Sequence, residues 1–249
     1  MAPPIFTPDG TEVEEVILPD GSEASEVIAP DGTVVFEDPI PDSGLLHDYD
    51  ADQLGLTGGD TVNTFTDQEG DQGASASGSP TFRESAINDE AAVEYDGSND
   101  GHIASGVDVG QPLVIITVYE ANNTTASMRL MSGDGERFGK WATDSDDRYR
   151  IDAGTRNAGS SAATGPNIFS AIFDGEDSAI RINGSTDTTG DSGTNKIDGL
   201  DMGFLSDPEQ EHFDGYIARM LIYDENQMED GQLEEIEEFF GEKYNINIS

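Results

Sequence analysis

The chain has 249 residues, of which 52 are Asp or Glu and 11 Lys or Arg, giving a formal net charge of −41. It contains no cysteine, which excludes a disulfide framework and a thiolate metal site, and the lack of any basic patch speaks against a nucleic-acid partner. The acidic residues are spread between apolar runs such as PLVIITVY and YIARMLIY, which fits a folded domain with a hydrated acidic surface better than a disordered tail. Lys is sparse (Lys140, Lys196 and Lys243). Sparse Lys with dense carboxylates suits a salt-saturated cytoplasm, where a Debye length of about 3 Å at molar salt screens self-repulsion. No apolar run approaches the 18 residues or so of a membrane span. The first residues, MAPPIFTPDG, show no basic, apolar or twin-Arg export signal, so the expectation is synthesis in the cytoplasm and release with a particle.

Taken in chain order, the first feature is a repeat. Pro-Asp-Gly recurs at Pro8, Pro19 and Pro30, each followed by a β-rich run. Pro presets φ, Asp bonds the backbone and Gly takes positive φ, so each unit reads as one turn plus one strand of about six residues. Three short strands bury too little to stand alone. The apolar residues Val16, Ile17, Val27, Ile28, Val34, Val35 and Phe36 therefore need a partner, either the following domain, another copy or a larger assembly. Residues 1–42 are expected to be a docking or oligomerisation segment, with a homotrimer favoured, and DPIPDSG is the junction. From residue 43 to 249, short runs (AAVEY, PLVIITVY, SMRLM, RYRID, IFSAIF, AIRIN, GYIARMLIY) alternate with Gly, Asp, Asn and Ser clusters, the pattern of an all-β sandwich or jelly roll. One helix is expected over residues 230–244, with Leu233, Ile236, Phe239 and Phe240 on its apolar face.

Four segments in order carry a resemblance. They are DYDADQLGLTGGDTVNTFTDQEGDQGASASGSPTF (48–82), INDEAAVEYDGSND (87–100), the IFSAIFDGEDSAIRINGS hairpin, and FDGYIARMLIYDENQMEDGQLEEIEEFFGEKYNI (213–246). The set resembles the laminin-G-like, concanavalin A-like jelly-roll domains of virus structural proteins and surface adhesins. The resemblance implies an all-β concanavalin A-like sandwich with one short C-terminal helix, preceded by the small β-repeat segment. The sequence departs from the family pattern where an aromatic residue is common: it has His47 and Phe65 there, and its polar loop reads DQEGD.

Three chemistries bear on these residues. The E-x-D-x-x-E alternation that places two carboxylates in a glucanase cleft is missing. His47, His102 and His212 lack metal-ligand spacing, and no nucleophile elbow or P-loop occurs. The expectation is a protein that is not an enzyme. For sugar binding, the single Trp141 lies among Arg137, Asp144, Asp146, Asp147, Arg148 and Tyr149; an aromatic face with carboxylates and Arg forks suits a carbohydrate. The competing reading is a core Trp beside a solvated acidic hairpin. For metal, the turn DGSND offers Asp96, Asn99 and Asp100 as hard oxygen ligands for calcium or another cation, against a background of Asp-rich turns. No cofactor is required. Sequons at Asn122, Asn123, Asn183 and Asn247 read as chance.

These features and the resemblance together imply a virion structural protein of a virus of halophilic archaea: a tail fibre, baseplate or capsid appendage. Its jelly roll would meet a host surface glycoprotein or glycan, its repeat would meet other virion proteins, and no membrane insertion is expected. A cellular adhesin or lectin module of a halophile is the alternative, and a glycoside hydrolase the third.

Overall fold

The computed structural model describes residues 40–124, 128–133, 147–206 and 211–249 in full, together with the backbone pairing of the strands at 5–6, 12–13, 26–28, 34–37 and 209–210. The chain divides into two compact units, Met1–Asp42 and Ser43–Ser249.

In the first unit, β1 (Ile5–Phe6) pairs antiparallel with β2 (Glu12–Val13), and β3 (Glu26–Ile28) with β4 (Val34–Glu37). Each pair brackets one Pro-Asp-Gly, so the first and third repeats lie between hairpin strands. The strands have two to four residues rather than the expected six. Val27, Ile28, Val34, Val35 and Phe36 are in β3 and β4, where pairing alone is described. Val16 and Ile17 lie outside the described residues.

The second unit begins with β5 (Leu45–Asp50), β6 (Thr64–Phe65), β7 (Ala74–Ser77), β8 (Thr81–Ile87), β9 (Glu90–Asp96), β10 (Gly101–Val109), β11 (Leu113–Ala121) and β12 (Met131–Ser132). It continues with β13 (Arg148–Asp152), β14 (Arg156–Ser161), β15 (Gly165–Phe173), β16 (Ala179–Ile182), β17 (Ser185–Thr189), β18 (Ile197–Met202), β19 (Leu205–Ser206), β20 (Glu209–Gln210) and β21 (Asp214–Asp224). One α-helix occurs among the described residues, α1 (Gln232–Lys243). One antiparallel sheet runs β17-β16-β15-β11-β21-β9-β8, and the other runs β12-β18-β10-β7-β6. This is the all-β sandwich with one short C-terminal helix that the resemblance implies.

β21 explains how the larger sheet accepts an extra strand. One edge of its eleven residues pairs with β11 throughout. The other edge pairs with β9 over Asp214–Ile217 and with β5 over Arg219–Tyr223. A bulge at Ala218 shifts the register between Val118 and Tyr119, so that Ile217 and Met220 both enter the core between the sheets.

β11 is apolar along nearly its whole length because both of its faces are covered. Leu113, Ile115, Tyr119 and Ala121 belong to the core between the sheets, while Val114, Ile116 and Val118 are buried on the opposite face. α1 packs on that opposite face. Ser170 Oγ of β15 donates to Glu237 Oε1 at 2.7 Å, Arg181 of β16 forks onto Glu237, and Arg219 of β21 lies 5.9 Å from the Phe240 ring centre. The buried side of the helix is Gln232, Ile236, Glu237 and Phe240, with Leu233 and Phe239 half-buried. This corrects the expected apolar stripe. Glu237 goes inward because Arg181 and Ser170 meet its carboxylate there, which compensates its desolvation.

A second buried polar knot shapes the loop 67–73. Asp67 Oδ1 accepts from the amides of Asp48, Glu69 and Gly70, and Oδ2 accepts from Gln72 and meets His47 Nδ1 at 2.7 Å. A side chain at Gly70 would lie 2.6 Å from Asp67 Oδ2, so only glycine lets the chain wrap this closely. Burial pushes the Asp67 carboxyl up, but the His47 bond and the amides outweigh it and hold it below the usual range.

Candidate functional site

The arch between β9 and β10 carries the chain from the larger sheet to the smaller one. Its base is fixed by apolar and aromatic packing. Tyr95 and His102, at either foot of the arch, are fully buried, and the Tyr95 hydroxyl meets His102 Nδ1 at 2.9 Å. His102 Nε2 lies 2.9 Å from the Val62 carbonyl, which can only accept, so Nε2 carries the proton and Tyr95 donates to Nδ1. Burial lowers the imidazole pKa to about 4 despite the Val62 bond, keeping the ring neutral at pH 7. From Tyr95 a file of rings continues to Phe213 (6.4 Å between centres) and Tyr119 (6.2 Å). The Tyr119 hydroxyl then donates to that of Tyr149 at 3.3 Å.

The arch itself is held by its own backbone. Asp96 Oδ1 accepts from the amides of Ser98 (2.8 Å), Asn99 (3.0 Å) and Asp100 (3.3 Å). Gly97, at φ +70°, turns the chain where an added Cβ would lie 2.8 Å from Asp214 Cβ. Desolvation pushes the Asp96 carboxyl up, but the three amides prevail and hold it below the usual range. Asp100 differs: burial, reinforced by the Asp96 charge, raises its carboxyl even though the Ser79 amide donates to it at 2.7 Å.

Beside the arch lies a carboxylate between two amides. Asp214 is the register partner of Asp96 across β9 and β21. Its Oδ1 accepts from Asn122 Nδ2 at 2.8 Å and its Oδ2 from Asn123 Nδ2 at 2.6 Å. Two residues earlier, His212 stacks on Phe204, with ring centres 5.5 Å apart and planes at 20°. Phe204 is buried and the imidazole is half-buried. Arg129 donates to Glu211 through Nε and through its backbone amide. At this rim Asn123 Oδ1 and Arg129 Nη1 are buried without a hydrogen-bond partner.

The sequence-predicted residues are distributed unevenly over this geometry. Asp96, Asn99 and Asp100 do come together in the arch. Among the described residues, however, no group of three or more His, Cys, Asp or Glu is placed to hold a metal ion, and Asp96 Oδ1 is taken by amides. Tyr149, expected to face a ligand, is a core residue at 2 % exposure whose hydroxyl accepts from the Ala163 amide. Arg148 is exposed at the start of β13. Arg137, Trp141, Asp144 and Asp146 fall in residues 134–146, outside the described residues. Sequence reasoning missed Asp214, His212 and Arg129. It noted Asn122 and Asn123 only as sequons, although both amide nitrogens are engaged by Asp214. The one available signal was the unusual Asn-Asn pair closing an apolar strand.

No protein-family model matches the chain, and no curated protein matches it in sequence. Solved structures do. Domain 4 of a GH43 extracellular arabinanase from Geobacillus stearothermophilus, solved with arabinotriose, is similar over 74 % of this chain and 94 % of that one, at 15 % identity and a TM-score of 0.56. A Trypanosoma rangeli sialidase, solved with a difluorinated nononic acid, is similar over 94 % of this chain at 10 % identity and a TM-score of 0.54. The match covers only 37 % of the sialidase chain. At these identities the shared property is the fold. That finding corrects the expectation that the chain is not an enzyme, because the fold occurs in proteins that are enzymes. The missing E-x-D-x-x-E motif spoke for one arrangement of carboxylates and not for others.

Proposed function

We propose that residues 43–249 form a carbohydrate-binding β-sandwich module whose ligand meets the rim made by Asp96, Asn122, Asn123, His212 and Asp214. The observation that carries this reading is the Asn122–Asp214–Asn123 arrangement beside a stacked imidazole. Sugar hydroxyls donate to carboxylates and accept from amides, and a ring face receives sugar C–H groups. The likeness to an arabinanase domain solved with arabinotriose supports the same reading. Titration of the full chain with an oligosaccharide panel at molar KCl, followed by NMR, tests it. Shifts confined to residues 96–100, 122–123 and 212–214 are expected; a panel without a single binder would overturn the reading.

At a finer level, the chain is an appendage protein of a virion infecting halophilic archaea, and residues 1–42 dock and trimerise it. The acidity of the chain and the hairpin repeat of 1–42 support this. Several weak sites on one particle would then add up to firm attachment to a host surface glycan. A cellular adhesin of a halophile would use the same chemistry without the particle. Light scattering of the full chain reads the oligomer, and electron microscopy of purified particles locates the chain. A second reading, glycoside hydrolysis, is favoured by the two enzymes that share the fold. It requires release of reducing sugar from a glycan by the purified chain.

A further inference from the structure

We infer that the glycan taken at this rim is uncharged. The inference rests on the carbohydrate reading above and names its ligand class.

The first ground is the charge a ligand would meet. The arch 96–100 and the stretches 122–124 and 211–214 contribute Asp96, Asp100, Glu211 and Asp214, and no Lys or Arg. Among the described residues, the cation bonded at this rim is Arg129, which is 8 % exposed and donates to Glu211. Arg150, in β13, is 2 % exposed. A sugar carboxylate or sulfate is normally held by an Arg fork or an ammonium; here the described groups of the rim are carboxylates, amides and the His212 imidazole.

The second ground is independent of charge. Two polar atoms at the rim are buried without a hydrogen-bond partner: Asn123 Oδ1, which can only accept, and Arg129 Nη1, which can only donate. A hydroxyl both donates and accepts, so it can satisfy either atom. An ionised carboxylate can meet Arg129 Nη1, but it has no proton to give and leaves the Asn123 oxygen unmet. Leaving a buried polar group unmet disfavours the complex that does so. Hydroxyls can thus meet both atoms, a carboxylate only one.

The test compares matched pairs: neutral arabino- and xylo-oligosaccharides against oligogalacturonates of equal length, titrated into the full chain in about 0.15 M and about 2 M KCl. A unit charge brought near several carboxylates is repelled at the lower salt and screened at the higher, so the acidic sugars should bind about tenfold more weakly at 0.15 M. That gap should narrow at 2 M, while the neutral sugars keep their Kd. Equal or tighter binding of the acidic sugars at low salt overturns the inference and leaves the carbohydrate reading standing. A deficit unchanged by salt and unchanged in Asn123→Ala, which removes the unmet oxygen, is steric and also overturns it. No binding by either class overturns both.

Discussion

Replacing His102 by Gln gives a sharp test of how the arch is held. Gln has the same pair of functions in neutral form: its amide nitrogen can donate to the Val62 carbonyl and its oxygen can accept from Tyr95. What it cannot do is titrate. In the native protein the His102 pKa is lowered from 6.5 to about 4 by burial. As pH falls through 6.5 the unfolded chain takes up the proton and the folded one does not, so stability is lost between pH 6.5 and pH 4 and the loss levels off below that. A shift of this size corresponds to about 3 kcal/mol, at 1.36 kcal/mol per unit. Many carboxylates titrate in the same range, so the quantity to measure is the difference between wild type and H102Q. Urea unfolding at fixed KCl from pH 8 to pH 4 supplies it. H102Q should be less stable by about 1 kcal/mol at pH 8, from imperfect hydrogen-bond geometry. It should gain on wild type by about 3 kcal/mol by pH 4. Parallel curves over that range would refute the neutral, doubly bonded imidazole.

Three further outcomes follow from the same physical grounds. Glu237→Ala strands the largely buried Arg181 guanidinium and should cost about 3–5 kcal/mol in urea unfolding, whereas the double change Arg181→Met with Glu237→Leu should recover most of that loss; equal losses in both would refute a compensated ion pair. Asp67→Ala removes the acceptor of four backbone amides and the partner of His47, and should cost about 2–4 kcal/mol with faster amide exchange at residues 69–72. The net charge of −41 predicts that calorimetric Tm rises between about 0.1 M and 2 M KCl as the Debye length shrinks from about 10 Å to a few Å. A flat Tm would mean that self-repulsion is not a significant term in stability.

The architecture was legible in the sequence because its signals are local. PLVIITVY announces a strand buried on both faces, Asn183-Gly184 announces the turn between β16 and β17, and LEEIEEFF announces a helix. The inward-facing side of that helix was not legible. Hydrophobic periodicity assigns Glu237 to solvent, and only the three-dimensional pairing with Arg181 and Ser170 reverses the assignment. Charge pairing at a separation of 56 residues leaves no trace in a window of one or two turns. The same reason hides the Asp67 loop, whose partner His47 reads simply as an aromatic missing from its usual place.

The rim was less legible than the fold for a different physical reason. Rare residue types stand out most in a sequence, and here they point to the single Trp141 and its charged neighbours. In a chain with 52 acidic residues an individual Asp carries almost no information. What distinguishes Asp214 from the others is its acceptance of two side-chain amides from consecutive residues, which requires β11 to end beside the start of β21. That adjacency comes from sheet order, since β11 and β21 pair along their full length. Asn122 and Asn123 project from the end of one strand, and Asp214 opens the other. Had β21 lacked the Ala218 bulge, its register against β11 would slip by one residue at this end, and every side chain from Asp214 to Ile217 would change faces. The bulge therefore does for the rim what it does for the core: taking up Ala218 as an extra residue leaves Ile217 opposite Tyr119 and Asp214 opposite Asp96.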